Sequence, residues 1–94
     1  MDKIRIMLAD DHPVARAGIR KFLNKATDIE IIAEASDGNQ ALDLARKLVP
    51  DVLLLDIELP GLKGVEVARE LQAMGSPTKI LVLSTYDDKQ FIFG

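Results

Sequence analysis

Short apolar runs alternate with longer amphipathic segments along this chain. The runs are too short for typical helices and predict strands over residues 3–9, 29–35, 51–55 and 79–83. Between them, apolar residues recur at every third or fourth position, which predicts helices over residues 14–25, 39–49 and 65–74. A further helix is expected over residues 89–93, with Asp87 as its cap. This alternation is typical of parallel crossovers and predicts an α/β protein with a doubly wound sheet.

The second predicted strand differs from the other three. Apolar and acidic positions alternate in residues 29–35, which is typical of a half-exposed strand at a sheet edge, whereas the other strands are mainly apolar. The flavodoxin-like strand order 2-1-3-4 accommodates this difference and places strands 1 and 3 side by side. Asp10 and Asp11 follow strand 1, and Asp56 follows strand 3. We therefore expect these three carboxylates to meet in one cleft at the carboxyl ends of the strands.

The composition excludes several classes of site and partner. The 94 residues suffice for one domain, and 48% hydrophobic with 29% charged residues is typical of a soluble globular protein. Zero cysteines and a single histidine exclude disulfides, thiolate chemistry and cysteine-rich or histidine-rich metal sites. The net charge of −3 and the scattered basic residues argue against binding of nucleic acid or membranes. The charged N-terminus does not resemble a signal peptide, so we expect a cytoplasmic protein.

The carboxylate cluster predicts a metal site. Three carboxylates close together repel one another, and a divalent cation removes that conflict. Oxygen ligands of this kind suit Mg²⁺, with Mn²⁺ as the second choice. A carboxylate beside such an ion can attack phosphorus and form an acyl phosphate. The hydroxyl of Ser84, after strand 4, is then placed to donate a hydrogen bond to the phosphoryl group.

With these residues, the chain resembles the receiver domains of two-component response regulators. The resemblance rests on the acidic pair Asp10-Asp11, on Asp56 followed by Leu-Pro and later Gly64, and on Ser84 after strand 4. The segments Ala-Asp-Asp-His-Pro at residues 9–13 and Ser-Thr-Tyr-Asp at residues 84–87 further resemble the subfamily with a LuxR-type helix-turn-helix output domain.

The resemblance implies a phosphorylation-dependent switch rather than a multiple-turnover enzyme. Asp56 would accept the phosphoryl group from a sensor histidine kinase and thereby control a transcriptional output domain. Asp10, Asp11, Asp56 and the backbone carbonyl of Glu58 would hold Mg²⁺. Ser84 would sense the phosphoryl group, and Thr85 would border its entrance. His12 is expected to be a partly exposed structural residue at the entry to the first helix.

The resemblance also implies parts that this chain lacks. Receiver domains have a fifth strand with a lysine and an aromatic switch residue, followed by a fifth helix. We therefore expect residues 1–94 to be a receiver domain truncated after strand 4, with no DNA-binding output domain. Strand 4 would then be an exposed apolar edge, which predicts self-association through that strand.

Two alternative functions remain open from the sequence. A receiver-like fold can serve as an interaction module that is independent of phosphorylation. A phosphohydrolase of the haloacid-dehalogenase kind also uses a strand-end aspartate with Mg²⁺, but it would need a second aspartate where this chain has Glu58. It would also need a later lysine and acidic pair. Turnover of a phosphate ester and covalent phosphorylation of Asp56 distinguish the three functions.

Overall fold

The alternation of strands and helices is present in this computed structural model, which describes residues 3–83 and 90–93. The described elements, in chain order, are β1 (Ile4–Ala9), α1 (Pro13–Leu23), β2 (Ile29–Ala35), α2 (Gly38–Leu48), β3 (Val52–Asp56), α3 (Gly64–Ala73), β4 (Lys79–Leu83) and β5 (Gln90–Phe93). The four predicted strands and the first three predicted helices are confirmed, with small shifts at their ends. In the described chain, no helix has the length and apolar character needed to cross a membrane.

The sheet has the order β2-β1-β3-β4-β5, and its first four strands are parallel. The predicted order 2-1-3-4 is therefore confirmed, with β2 at an edge. In the central pair, Ala9 of β1 lies opposite Leu55 of β3. The next residues along each strand are Asp10 and Asp56, so this register brings their carboxylates to the same end of the sheet.

The helices cover the two faces of the sheet unequally. The larger core lies under α2 and α3, where Ala41, Ala45, Val67 and Leu71 pack against strand residues such as Leu53. The smaller core, centred on Ile6, Leu8 and Leu54, is covered by Ile19 and Leu23 of α1. No α1 residue is fully buried in the described structure, and Phe22, an apolar residue at helical spacing in this helix, is 71% exposed. The sheet therefore holds α1 through a narrow apolar stripe.

Local capping chemistry defines where α2 and α3 begin and end. At the start of α2, the N-cap residue Asp37 accepts a hydrogen bond from the backbone N–H of Gln40 at 2.7 Å. At the end of α3, Gly75 has a φ of +72°, and the N–H of Ser76 donates to the carbonyl of Leu71 at 3.0 Å. This pairing is a Schellman motif, for which glycine is the preferred residue.

The last described segment corrects two expectations. The predicted helix over residues 89–93 is wrong, because Gln90–Phe93 forms β5 and pairs antiparallel with β4. A helix of this length is unstable alone, whereas pairing gives its backbone groups partners on β4. The predicted cap Asp87 lies outside the described residues. Consequently β4 is not a free edge in the described structure, so the expected route of self-association, an exposed strand 4, is wrong, whereas self-association itself stays a prediction.

Candidate functional site

The candidate site lies where β1 and β3 end. Asp10 directly follows β1, and Asp56 is the last residue of β3. Their side chains are 5% and 1% exposed, whereas the side chain of Asp11 is 35% exposed. The structure therefore brings together the three carboxylates that strand order predicts to meet, two buried and one at the entrance.

Four side chains contribute to this acidic cluster, defined here as Asp10, Asp11, His12 and Asp56. One possible ligand atom from each lies within 4.8 Å of those from the other three. Oδ1 of Asp10 accepts a hydrogen bond from the backbone N–H of His12 at 2.8 Å, and Oδ1 of Asp56 accepts one from that of Glu58 at 3.1 Å. Each buried carboxylate thus has one oxygen fixed by the backbone two residues further along.

The second oxygen of Asp56 is the least satisfied atom of the cluster. Oδ2 is buried and has no hydrogen-bond partner among the residues that the structure describes. Nδ1 of His12 lies 3.3 Å away but outside hydrogen-bond geometry. Burial raises the pKa of Asp56, the backbone N–H of Glu58 opposes that rise, and the negative charge of Asp10 adds to it. A buried, unpaired carboxylate oxygen beside two further carboxylates fits a hard divalent cation such as Mg²⁺.

His12 has a place in the site that its sequence context alone did not predict. It stands at the entry to α1, as predicted, but Nδ1 also lies 3.1 Å from Oδ1 of Asp10 and 3.1 Å from Oδ1 of Asp11. The hydrogen bond to Asp10 raises the pKa of His12, and the charge of Asp11 raises it further. One sequence feature could have indicated this position: His12 directly follows the acidic pair Asp10-Asp11 at the end of a strand.

The remaining predicted residues are placed only in part. Glu58 is exposed, and its backbone lies against Asp56 through the N–H hydrogen bond. Ser84 and Thr85 lie outside the described residues. They follow Leu83, which pairs with Asp56 across β3 and β4.

Close backbone contacts hold the loop that follows Asp56. Leu59 is fully buried, and the carbonyl of Pro60 accepts a hydrogen bond from the N–H of Gly38 at 3.0 Å. At the start of α3, a Cβ on Gly64 would lie 2.9 Å from the carbonyl oxygen of Asp56, which is closer than Cβ atoms normally approach. The Leu-Pro-x-x-x-Gly spacing therefore anchors the loop in the core and lets α3 begin against the backbone of the site.

Arg16 connects α1 to the same strand ends. Its Nη1 donates to the carbonyl of Asp10 at 3.1 Å, and its Nε lies 3.3 Å from Oε1 of Glu34. Glu34 also binds Nη1 of Arg20 at 2.9 Å. These contacts join the first turns of α1 to the ends of β1 and β2, and so help to position Asp10.

Comparison with known proteins supports the same assignment as the geometry of the site. The family profile of the response regulator receiver domain matches residues 6–93. The chain belongs to this family. It is 40% identical to the transcriptional regulatory protein YxjL of Bacillus subtilis (strain 168) over 92 residues, which are 98% of this chain and 42% of that protein. The chain spans about two fifths of the length of the curated relatives it matches.

Solved receiver structures share the fold. The signal receiver domain of the response regulator NarL from Mycobacterium tuberculosis has a TM-score of 0.89 at 37% identity, over 93% of this chain and 70% of that one. RcsB from Salmonella enterica serovar Typhimurium, bound to promoter rprA with the phosphomimetic BeF₃⁻, has a TM-score of 0.80 at 27% identity. That match covers 88% of this chain and 43% of RcsB. This receiver domain is therefore similar to those of transcriptional response regulators.

Proposed function

We propose that this receiver domain is a Mg²⁺-dependent switch in which Asp56 accepts a phosphoryl group from a sensor histidine kinase. The observation that carries the proposal is Oδ2 of Asp56, a buried oxygen with no hydrogen-bond partner among the described residues. It lies beside the carboxylates of Asp10 and Asp11, within the acidic cluster. An oxygen of this kind is available both to a cation and to phosphorus.

The metal would be held by oxygen atoms of four residues. Asp10, Asp11 and Asp56 supply carboxylates, and the backbone carbonyl of Glu58 is the proposed fourth ligand. Mg²⁺ is the preferred ion and Mn²⁺ the second, because both favour oxygen ligands. When bound, the cation neutralises negative charge on the phosphoryl oxygens.

Asp56 acts as the nucleophile in the proposed transfer. One carboxylate oxygen forms a bond to phosphorus while the bond between phosphorus and the donor's imidazole nitrogen breaks, and the leaving imidazole takes up a proton. The backbone N–H of Glu58 holds the other oxygen at 3.1 Å and so orients the carboxylate. Ser84 is the proposed sensor of the phosphoryl group, and Thr85 is proposed to border the entrance.

The output of the switch is proposed to be transcriptional. The similarity to RcsB, solved on a promoter with a phosphomimetic, supports this assignment. Because the chain matches only 42% of the YxjL protein, DNA binding is proposed to belong to a domain outside these residues. Residues 1–94 are the proposed receiver domain and bind no nucleic acid themselves.

Intact-mass spectrometry after incubation with acetyl phosphate tests the proposal. The wild type should gain the mass of one phosphoryl group only when Mg²⁺ is present, and Asp56→Asn should gain none. Asp43→Asn is the matched control, because Asp43 is a half-exposed carboxylate paired with Arg46 and Lys47 on α2. It should be modified like the wild type.

Other outcomes contradict the switch. An adduct on Asp56→Asn would place the modification elsewhere. Mg²⁺ binding without any adduct would favour the interaction module, and continuous release of phosphate from an ester substrate would favour the phosphohydrolase.

A further inference from the structure

His12 occupies the N-cap position of α1 but does not cap the helix. Its φ and ψ are −97° and 103°, as is usual for an N-cap, yet its side chain makes no capping hydrogen bond. Pro13, the first residue of the helix, has no N–H to be satisfied. The imidazole turns instead toward the ends of β1 and β3.

There the ring meets all three carboxylates of the acidic cluster. Nδ1 lies 3.1 Å from Oδ1 of Asp10, 3.1 Å from Oδ1 of Asp11 and 3.3 Å from Oδ2 of Asp56. Neighbouring ligands of one octahedral Mg²⁺, with bonds of about 2.1 Å, are separated by about 3 Å. The ring nitrogen is therefore as close to each oxygen as another ligand of the same ion would be.

The hydrogen on Nδ1 decides between two roles for the ring. Ionised carboxylates only accept hydrogen bonds, so for the 3.1 Å contact with Asp10 we assign the ring hydrogen to Nδ1, directed into the cluster. A nitrogen that carries this hydrogen has no lone pair to offer a cation. Mg²⁺ also prefers oxygen ligands and water to imidazole. These facts favour displacement of the His12 ring by Mg²⁺ over coordination of Mg²⁺ by the ring.

We propose that His12 is an internal occupant of the metal site, which Mg²⁺ must displace, so that this residue weakens Mg²⁺ binding by the chain. The inference rests on the proposed function of the acidic cluster as a Mg²⁺ site. The side chain is 52% exposed, so it can rotate toward solvent without disturbing the core. The apparent dissociation constant for Mg²⁺ rises in inverse proportion to the fraction of time that the ring is out of the site.

The same contacts give the site a defined form before the metal arrives. The backbone N–H and the ring of His12 both donate toward Oδ1 of Asp10, at 2.8 and 3.1 Å. These donors offset part of the repulsion among the three carboxylates in the metal-free chain. The ring of His12 would therefore leave a cluster of defined form when Mg²⁺ takes its place.

Isothermal titration of Mg²⁺ into the 94-residue chain, at one pH and ionic strength, tests the inference. His12→Ala should bind Mg²⁺ about three- to tenfold more tightly, because the competing side chain is gone. His12→Arg should bind more weakly, since it places a permanent cation within reach of the same carboxylates. Neither variant removes a helix cap, so both should retain the fold, which circular dichroism checks.

A second readout needs no variant. His12 is the only histidine of the chain, so its ring proton signals in the NMR spectrum are unambiguous. Saturating Mg²⁺ should move them toward the values of a solvent-exposed imidazole.

Unchanged or weaker Mg²⁺ binding by His12→Ala, or ring signals that do not respond to Mg²⁺, overturns the inference. Asp56→Asn separates this failure from failure of the proposed function. If Asp56→Asn binds Mg²⁺ as well as the wild type, the acidic cluster is not the metal site and the inference fails with it. If Asp56→Asn loses Mg²⁺ binding but His12→Ala binds Mg²⁺ as tightly as the wild type, the acidic cluster is the metal site and the inference about His12 is wrong.

Discussion

At the scale of single residues, the site is built at a cost to the metal-free fold. Asp56 is a buried carboxylate whose Oδ2 has no hydrogen-bond partner among the described residues, and burial raises its pKa. An ionised group in such a place opposes folding unless a cation compensates it. This electrostatic cost is useful to the proposed switch, because the unpartnered oxygen is the one proposed to be available to the metal and to phosphorus.

Asp56→Asn should therefore stabilise the protein in the absence of metal. The amide removes a buried charge and can donate toward the neighbouring carboxylates, for an expected gain of about 1–2 kcal/mol in the free energy of unfolding. Urea denaturation with EDTA measures it. Asp43→Asn, which loses exposed ion pairs, should show no gain. The interpretation fails if Asp56→Asn is less stable than the wild type.

A second strained residue lies away from the site, at the end of α2. Val49 has a φ of 45° and a ψ of 64°, the left-handed region that a β-branched side chain rarely adopts, and it is 42% exposed. Val49→Gly should raise the free energy of unfolding by roughly 1 kcal/mol, as glycine adopts this conformation without strain. Val14→Gly makes the same change in α1, where Val14 is 87% exposed. It should lower the free energy of unfolding, because glycine is unfavourable within a helix. Equal losses of unfolding free energy in the two variants would contradict the interpretation that the backbone of Val49 is strained.

At the scale of elements, the sequence predicts the strands and helix ends that depend only on residues near one another in the chain. Strands β1 to β4 are uninterrupted or alternating apolar runs, and Asp37 and Gly75 are typical ends of helices, so these features follow from the residues alone. In α3, Val65 and Gln72 are exposed although they share helical spacing with the buried Ala68 and Leu71, and Val67 is buried as well. Helical spacing fits several overlapping stripes, and only packing against the sheet decides which of them is buried.

The pattern could not predict features that depend on a distant partner. Gln90–Phe93 forms a strand because β4 offers it unpaired backbone groups, and nothing within the segment itself encodes that partner. The convergence of Asp10, Asp11 and Asp56 followed from strand order, since parallel neighbours end at one edge. The rotamer of His12 did not follow, because it depends on carboxylates from two strands at once.

The contact between α2 and the loop after β3 gives an element-scale prediction. A Cβ on Gly38 would lie 1.6 Å from the carbonyl oxygen of Leu62, so Gly38→Ala must push the loop away. We expect a loss of about 1–3 kcal/mol in the free energy of unfolding and weaker Mg²⁺ binding, because the same loop carries Glu58, the proposed fourth metal ligand. Gly18→Ala is the matched control: outside the neighbouring backbone of its own helix, no described atom lies within 4 Å of that Cβ, and the substitution should raise the free energy of unfolding by about 0.5–1 kcal/mol.

These two glycine variants separate close contact from general helix propensity. Urea denaturation gives the stability of each, and titration with Mg²⁺ under conditions where both are fully folded gives the affinity. If both substitutions stabilise the protein and leave Mg²⁺ binding unchanged, the start of α2 does not position the loop.

At the scale of the whole molecule, the two edges of the sheet are protected differently. The β2 edge carries Glu30 and Glu34, and Glu34 forms ion pairs with Arg16 and Arg20. Charges of this kind discourage pairing with another chain. The β4 edge is covered by the backbone of β5, in register from Ile80 opposite Phe93 to Leu83 opposite Gln90. Protection of β4 thus depends on four residues at the end of the chain.

Removal of residues 90–94 should therefore expose the β4 edge and cause chains to associate through it. Deleting β5 leaves the outer backbone groups of Lys79–Leu83 unpaired beside an apolar sequence, which is a template for strand addition. Sedimentation velocity over a range of concentrations should show dimers or larger species for the shortened chain where the 94-residue chain is still monomeric. The control removes only Gly94, which lies beyond β5, and should leave the distribution unchanged. If the shortened chain remains monomeric at every concentration, β5 is not what protects β4.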